Sequence, residues 1–410
     1  MKTCILQFCI AIMVGTCLGC MQRSTAEKSN LDSGKESTAG KANQEERAVR
    51  SDGNALNNAD GWCLFRGNPE STGVAKGSLP DELEVLWDFK VKNGSFEGTA
   101  AIVEVDGELV AYLGDLDGTL FSFDLETGEK RWEFKPESEI GFGASPSYRD
   151  GFIYIGDIDG VFYCIDDKGN EVWSLQTDSE ISSSANFYKD NVLFGSQDAT
   201  LYCLDAKTGD EVWKMQADDQ IQGTPTVIGG RAFVAGCDAK LHVINLENGQ
   251  EVGSVEIDSP TGSTVAAVGD SVYFGTEQAG FFAVDWKQPA LKWHYQDESV
   301  GAIRSNPAVS GHHVVFGAGD RTVRSLDPKT KKENWVRTLK AKTESSPVIV
   351  DQRVYIGSGD GRLYALELET GKVCWEKQFE GGITSSPAVA FGRLIIATDR
   401  GTVYCLGKGK

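Results

Sequence analysis

The chain has 410 residues, 40% of them hydrophobic, with 47 Gly against 11 Pro and a formal charge of −20. This composition is globular, excluding a disordered or collagen-like chain, and the length allows one large domain or two ordinary ones. The excess carboxylates are spread along the sequence, so the surface would repel a polyanion and no nucleic-acid partner is expected.

The first twenty residues, "MKTCILQFCIAIMVGTCLGC", carry one Lys, an apolar run from Cys4 to Val14, and small residues ending at Cys20. The run is too short for a bilayer anchor and reads as a secretory signal. Residues 21–60 have almost no large apolar side chain and mix charges with Ser, Gly and Asn. They cannot bury enough surface to offset ordering, so a disordered tether is expected there, with a folded domain over residues 61–410.

Past the tether the chain repeats. Trp87, Trp132, Trp173, Trp213, Trp293, Trp335 and Trp375 recur every 40 to 45 residues, apart from one gap of 80 whose missing member falls at Gly253. Before each lies a hairpin such as "FDLETGEKRW" or "CLDAKTGDEVW", where Gly supplies a positive φ and the leading acid can bond the turn. Preceding these are alternating runs such as "LYCLD", then "VYIGS", then "SSPVIV". Several short strands per period without helical periodicity predict an all-β, eight-bladed β-propeller of four-stranded antiparallel blades. "ITSSPAVAFGRLIIATDRGTVYCLG" supplies three strands of the eighth blade, and "LEVLWDFK" supplies the fourth. The N-terminal strand is therefore expected to close the ring against the C-terminal strands. Gly253 should leave its blade junction underfilled unless another residue covers it.

The stretch "YLGDLDGTLFSFDLETGEKRW" raises the question of a metal. Asp115, Asp117 and Gly118 look like half of a calcium loop, with Glu126 at the right distance from Asp115. Other blades lose the first acid in "GSQDAT" and "GSGDGR", which favours a turn over a metal site; no metal ligand is assigned. His242, His294, His312 and His313 show no ligand spacing and read as surface or edge residues. Cys164, Cys203 and Cys405 occupy equivalent strand positions and should be buried without bridging, whereas Cys63, Cys237 and Cys374 have no assigned role. The hydroxyls of "SSP" at 345–347 and 385–387 recur at one blade position, as architecture would. No nucleophile elbow, phosphate loop or dinucleotide fingerprint is present, and no catalytic residue or cofactor is assigned.

"CLGC" resembles the lipobox of bacterial lipoproteins, which implies lipidation at Cys20; an ordinary signal peptide cut nearby is the alternative. "ALELETGKVCW", Ala365 to Trp375, resembles the tryptophan-docking motif of the pyrroloquinoline-quinone-type propeller repeat, with Glu367 where the family has Asp. That resemblance implies that the seven Trp residues stack between blades as structure. The quinone dehydrogenases sharing this repeat often use a disulfide between adjacent Cys residues and carry long pocket-building insertions, and neither is found here. Signal, length, blade count and repeat together resemble the BamB-type lipoproteins. This implies a non-catalytic, monomeric scaffold, held by lipid at the periplasmic face of the outer membrane and binding envelope proteins, in particular a barrel-assembly complex. A quinone-dependent dehydrogenase or a small-ligand sensor using the central channel is the alternative.

Overall fold

The computed structural model describes residues 60–409 apart from Asn93, Ser138 and Glu139. The expected signal, Cys20 and tether fall outside the described residues. Strands gather into eight sheets of antiparallel strands, one per repeat. In chain order the blades occupy residues 101–134, 147–176, 186–216, 226–256, 266–296, 308–338 and 348–378, and the eighth combines 388–407 with 84–90. This is the eight-bladed propeller that the repeat predicts. Closure also follows the expected route: Glu84–Lys90 pairs antiparallel with Thr402–Gly407, setting Trp87 opposite Cys405.

Within a blade, the second and third strands alternate with almost every side chain buried, because both faces are covered by neighbouring blades. The fourth strand lies at the rim and reads exposed at every second position, as in Glu171–Gln176. Pairing between third and fourth strands slips by one residue just before the Trp position in all eight blades. Such a bulge bends the strand and re-aims the following side chain. Val172, Val212 and Val252 are the skipped residues, which explains why these valines are about half exposed.

The Trp thus aimed crosses to the next blade. The indole Nε1–H of Trp87 donates to the Leu125 carbonyl at 2.8 Å, and Trp132, Trp173, Trp213 and Trp335 donate likewise to Asp167, Ala206, Leu246 and Leu368. Each ring lies on the hairpin glycine of that next blade, so that a Cβ on Gly128 would sit 2.5 Å from Trp87. Asp124 at the hairpin start accepts from the backbone N–H groups of Glu126 and Thr127, the turn bonding that the sequence suggested. Trp293 is buried beside Tyr273 and Phe281. Trp375 faces the junction closed by the two chain ends, where no hairpin exists, and is packed against the core there.

The gap at Gly253 is filled. The next hairpin carries Pro289 where most others have Gly, and Pro289 Cγ stands 2.9 Å from where a Gly253 Cβ would be. Trp286 of that hairpin meets Phe233 edge-on and donates to the Gly269 carbonyl. Loss of the large ring on one side is matched by gain of bulk on the other.

Gly128 combines φ +76 with the indole contact, whereas Gly107 has φ +83 and nothing near its missing Cβ. Gly107→Ala should cost about 1 kcal/mol from backbone strain alone. Gly128→Ala should cost a further ~1–3 kcal/mol because the ring cannot retreat, read as a difference in chemical denaturation midpoints.

Candidate functional site

The first strand of each blade begins at the propeller axis, and the residues leading into it line that axis. One tier holds Thr99, Ser145, Ser184, Thr224, Thr264, Asn306, Ser346 and Ser386, one per blade. Each side-chain oxygen from Ser145 onward accepts the backbone N–H of its counterpart in the preceding blade, at 2.6–3.1 Å. This ladder satisfies amides that no sheet reaches, which is why a small side chain bearing an oxygen recurs there. The "SSP" hydroxyls divide their work: Ser346 and Ser386 join this ring, while Ser345 and Ser385 accept from Gly357 and Ala397 in their own blades. The ring was legible at those two triplets alone, because Thr, Ser and Asn alternate elsewhere.

Three residues further along each inner strand, the segment from Trp62 to Ala75 closes the axis. Its carbonyls accept backbone N–H groups from Ile102, Tyr148, Val227, Ala267, Val309 and Ile349, each in a different blade. The third blade contributes through Asn186 Nδ2, which donates to the Pro69 carbonyl at 2.8 Å. Val74–Ala75 ends the circuit as a parallel strand beside Val348–Val350.

Arg66, which sequence reading missed, is fully buried within the strap. In other blades a side chain on the inner strand donates to the next blade's carbonyl: Ser147 to Ala185, Asn186 to Pro225, Thr226 to Val265. Ala266 and Ala308 cannot, and Arg66 Nη2 supplies the missing donors to Pro307 and Pro347 at 3.2 and 2.5 Å. Burial pushes its guanidinium down to about 9, and Nε and Nη1 have no partner. Gly73 makes room for it, since a Cβ there would fall 2.0 Å from Arg66 Nη2.

What remains is a blind funnel of about 200 Å³, floored by half-buried Phe65, walled by the hydroxyl ring and opening past Glu97, Ser182, Gln222, Glu344 and Thr384. Arg304, at the same inner-strand level, binds both carboxylate oxygens of Glu277 at 2.9–3.1 Å and lies 3.8 Å from Glu344. Burial and the nearby Glu97 charge raise the Glu180 carboxyl.

The calcium-like acids cap turns. Asp115 Oδ1 accepts from Thr119 N at 2.8 Å, and Asp157 does the same for Val161 while its Oδ2 accepts from Tyr163. Where the first acid is missing, Asp198, two residues later in the turn, takes both tasks through Thr200 and Tyr202. Phe121 replaces the Tyr in the first blade, so Asp115 Oδ2 is left unpartnered and burial raises that carboxyl. Among the described residues no three His, Cys, Asp or Glu side chains converge on a common point.

Two of the four histidines differ from expectation. His242 and His313 are buried, not at the surface, because each serves a carboxylate or hydroxyl inside its own blade. His242 Nε2 lies 2.8 Å from Asp238, taking the place that Tyr163 has beside Asp157. His313 stands 3.0 Å from Ser325 Oγ and 3.2 Å from Glu369. Ser325 is sealed in the blade interior, so this trio of hydroxyl, imidazole and carboxylate has no substrate side. Cys164, Cys203 and Cys405 are buried thiols pushed up to about 12, as small core residues should be. Cys374 is exposed, with its thiol donating to the Ala365 carbonyl, and Cys237 is partly buried.

A family model described as outer membrane protein assembly factor BamB matches residues 81–199, 116–337 and 319–409. A curated protein of that name from Nitrosomonas eutropha is 26% identical over 121 residues, 30% of this chain and 28% of that relative's length. The solved structure of BamB from Moraxella catarrhalis superposes with a TM-score of 0.66 at 15% identity, covering 80% of this chain and 98% of that one. A quinohemoprotein alcohol dehydrogenase from Comamonas testosteroni gives a TM-score of 0.74 at 13% identity, covering 89% and 83%. At these identities the structural likenesses establish the propeller and nothing finer.

The Arg66–Gly73 contact is testable by a double-mutant cycle. Gly73→Ala alone should destabilise by at least ~2 kcal/mol, and the same change in an Arg66→Ala background should cost only the ~1 kcal/mol of backbone strain. Equal costs in both backgrounds, read by thermal unfolding, would show that the strap does not depend on this fit.

Proposed function

The chain belongs to the family of outer membrane protein assembly factor BamB, and from that premise we propose that it is a non-catalytic scaffold of the bacterial envelope, assisting assembly of outer-membrane β-barrels by docking on protein partners. The carrying observation is the span of the family match, which runs from residue 81 to 409 and so takes in all eight blades. The interior supports a scaffold as well. Tested side by side, the groups that could do chemistry are spent on structure: Asp115 and Asp157 on turns, His313 and Ser325 on each other, and the axial hydroxyls on neighbouring amides. A quinone reading is weakened by size. The funnel of about 200 Å³ is smaller than the roughly 300–1,000 Å³ that encloses multi-ring ligands.

Localisation follows from the N-terminal sequence. Cleavage before Cys20, with acylation of its thiol and new amino group, would hold the propeller to the membrane, and residues 21–60 would tether it clear of the headgroups. More than one chain is needed for stable anchoring.

Affinity capture of the tagged protein from detergent-solubilised envelopes should recover the barrel-inserting machinery; its consistent absence, with the propeller folded, would refute the barrel-assembly role. Cys20→Ser should shift the protein from the membrane pellet to the soluble fraction, and retention through a high-salt wash would overturn the lipid anchor.

A further inference from the structure

The funnel combines features that neither the family match nor the scaffold reading uses. Its wall is a belt of hydroxyls whose lone pairs receive backbone amides. A hydroxyl that accepts in this way keeps its own proton to donate. The mouth adds the carboxylates of Glu97 and Glu344 and the amide of Gln222, all good acceptors or paired donor–acceptors. Among the described residues no ion pair includes Glu97, and Glu344 is approached only by Arg304 at 3.8 Å. The floor is an aromatic ring, Phe65, held in place by the strap and left half-buried at the bottom of an otherwise polar cavity.

This mixture selects among ligands. An anion would meet Glu97 and Glu344 with Arg304 already engaged by Glu277, so carboxylated or phosphorylated molecules are disfavoured. A purely apolar molecule would strip water from the hydroxyl belt without repaying its hydrogen bonds. A ligand bearing several hydroxyls around one apolar face satisfies each part: its O–H groups donate to the two carboxylates, its oxygens accept from the belt, and its C–H face lies on Phe65. The cavity volume of about 200 Å³ limits the ligand to a single ring. The strap seals the far end, so the ligand enters and leaves by one mouth.

We propose that the axial funnel is a binding site for one neutral pyranose unit, either free or at the end of a glycan, separate from the surfaces that dock protein partners. In this site Glu97 and Glu344 are the orienting acceptors and Phe65 is the stacking platform. Because both glutamates are exposed and Phe65 lies at the cavity surface, each can be changed without removing a bond of the axial ladder.

The test is saturation-transfer NMR and calorimetry on the folded protein with methyl glucoside and N-acetylglucosamine as probes, and glucuronate as the anionic comparison. Saturable binding of a neutral probe with a dissociation constant of about a millimolar is expected, with glucuronate at least about tenfold weaker. Glu97→Gln and Phe65→Ala should each weaken the neutral probe about tenfold or more, the scale of one lost charge-assisted hydrogen bond or stacking face, with the melting temperature of Glu97→Gln unchanged and Phe65→Ala still folding cooperatively. Absence of binding by both neutral probes at tens of millimolar overturns the proposal, as does binding that neither variant alters or that glucuronate matches. Capture of the barrel-assembly machinery is read separately, so failure of the sugar site leaves the scaffold reading standing, and the reverse.

Discussion

The contact on which the molecule depends is the indole of one blade lying on the hairpin of the next. A buried aromatic side chain removes about 150–250 Å² from water, worth about 4–6 kcal/mol at 25 cal/mol/Å² before ordering is counted. The Nε1–H donates to a hairpin carbonyl, so the ring can be buried without leaving a polar atom unpaired. That bond also fixes the angle between blades, and a fixed angle repeated around the circle is what closes a ring. The bulge before each Trp, and the glycine under five of them, serve the same contact. At the Gly253 junction the ring and the glycine change together, with Pro289 replacing the glycine, so the space between blades stays filled even where its occupants are exchanged.

Closing a ring creates a second problem at the axis. The innermost strands have no neighbour on their inner side, so their amides and carbonyls face a channel too narrow to be solvated freely. Two devices resolve it at two depths. Near the mouth, each blade after the first lends a hydroxyl or amide oxygen to the amide of the blade before it. Deeper, one chain segment runs around the axis and accepts from six blades in turn. Arg66 completes the circuit where two inner strands carry alanine in place of a donor. A buried guanidinium is costly to desolvate, and its presence measures how costly two orphan carbonyls at the axis would otherwise be.

The sequence revealed what is periodic and concealed what is not. Trp spacing, the Thr-Gly hairpins and the two half-blades at the ends were enough to count eight blades and to place the closing strand, because each signal recurs at one blade position. The turn acids were readable for the same reason, through comparison of "GDLDGT" with "GSQDAT". The axial ring was harder. Its oxygen comes from Ser, Thr or Asn interchangeably, so the physical requirement repeats while the letter does not. Arg66 and the strap occur once, and a feature that occurs once has no periodicity to betray it. The burial of His242 and His313 was not legible because it depends on particular partners, Asp238 within the blade in one case, Ser325 within the blade and Glu369 of the next blade in the other.

A ring built this way separates stability from function in space. Junction tryptophans, turn carboxylates and the strap bind groups that would otherwise be orphaned, and altering any of them is felt by the fold. The mouth of the funnel and the outer rim carry side chains the fold does not need, including Glu97, Glu344 and the bulged valines. Selection on partners or ligands can therefore act at the mouth and the rim without disturbing closure. The same economy explains why a common propeller serves unlike tasks. The repeat commits the chain to a ring with a sealed floor and an open mouth, and the residues at that mouth, a small minority of the chain, decide what the ring holds.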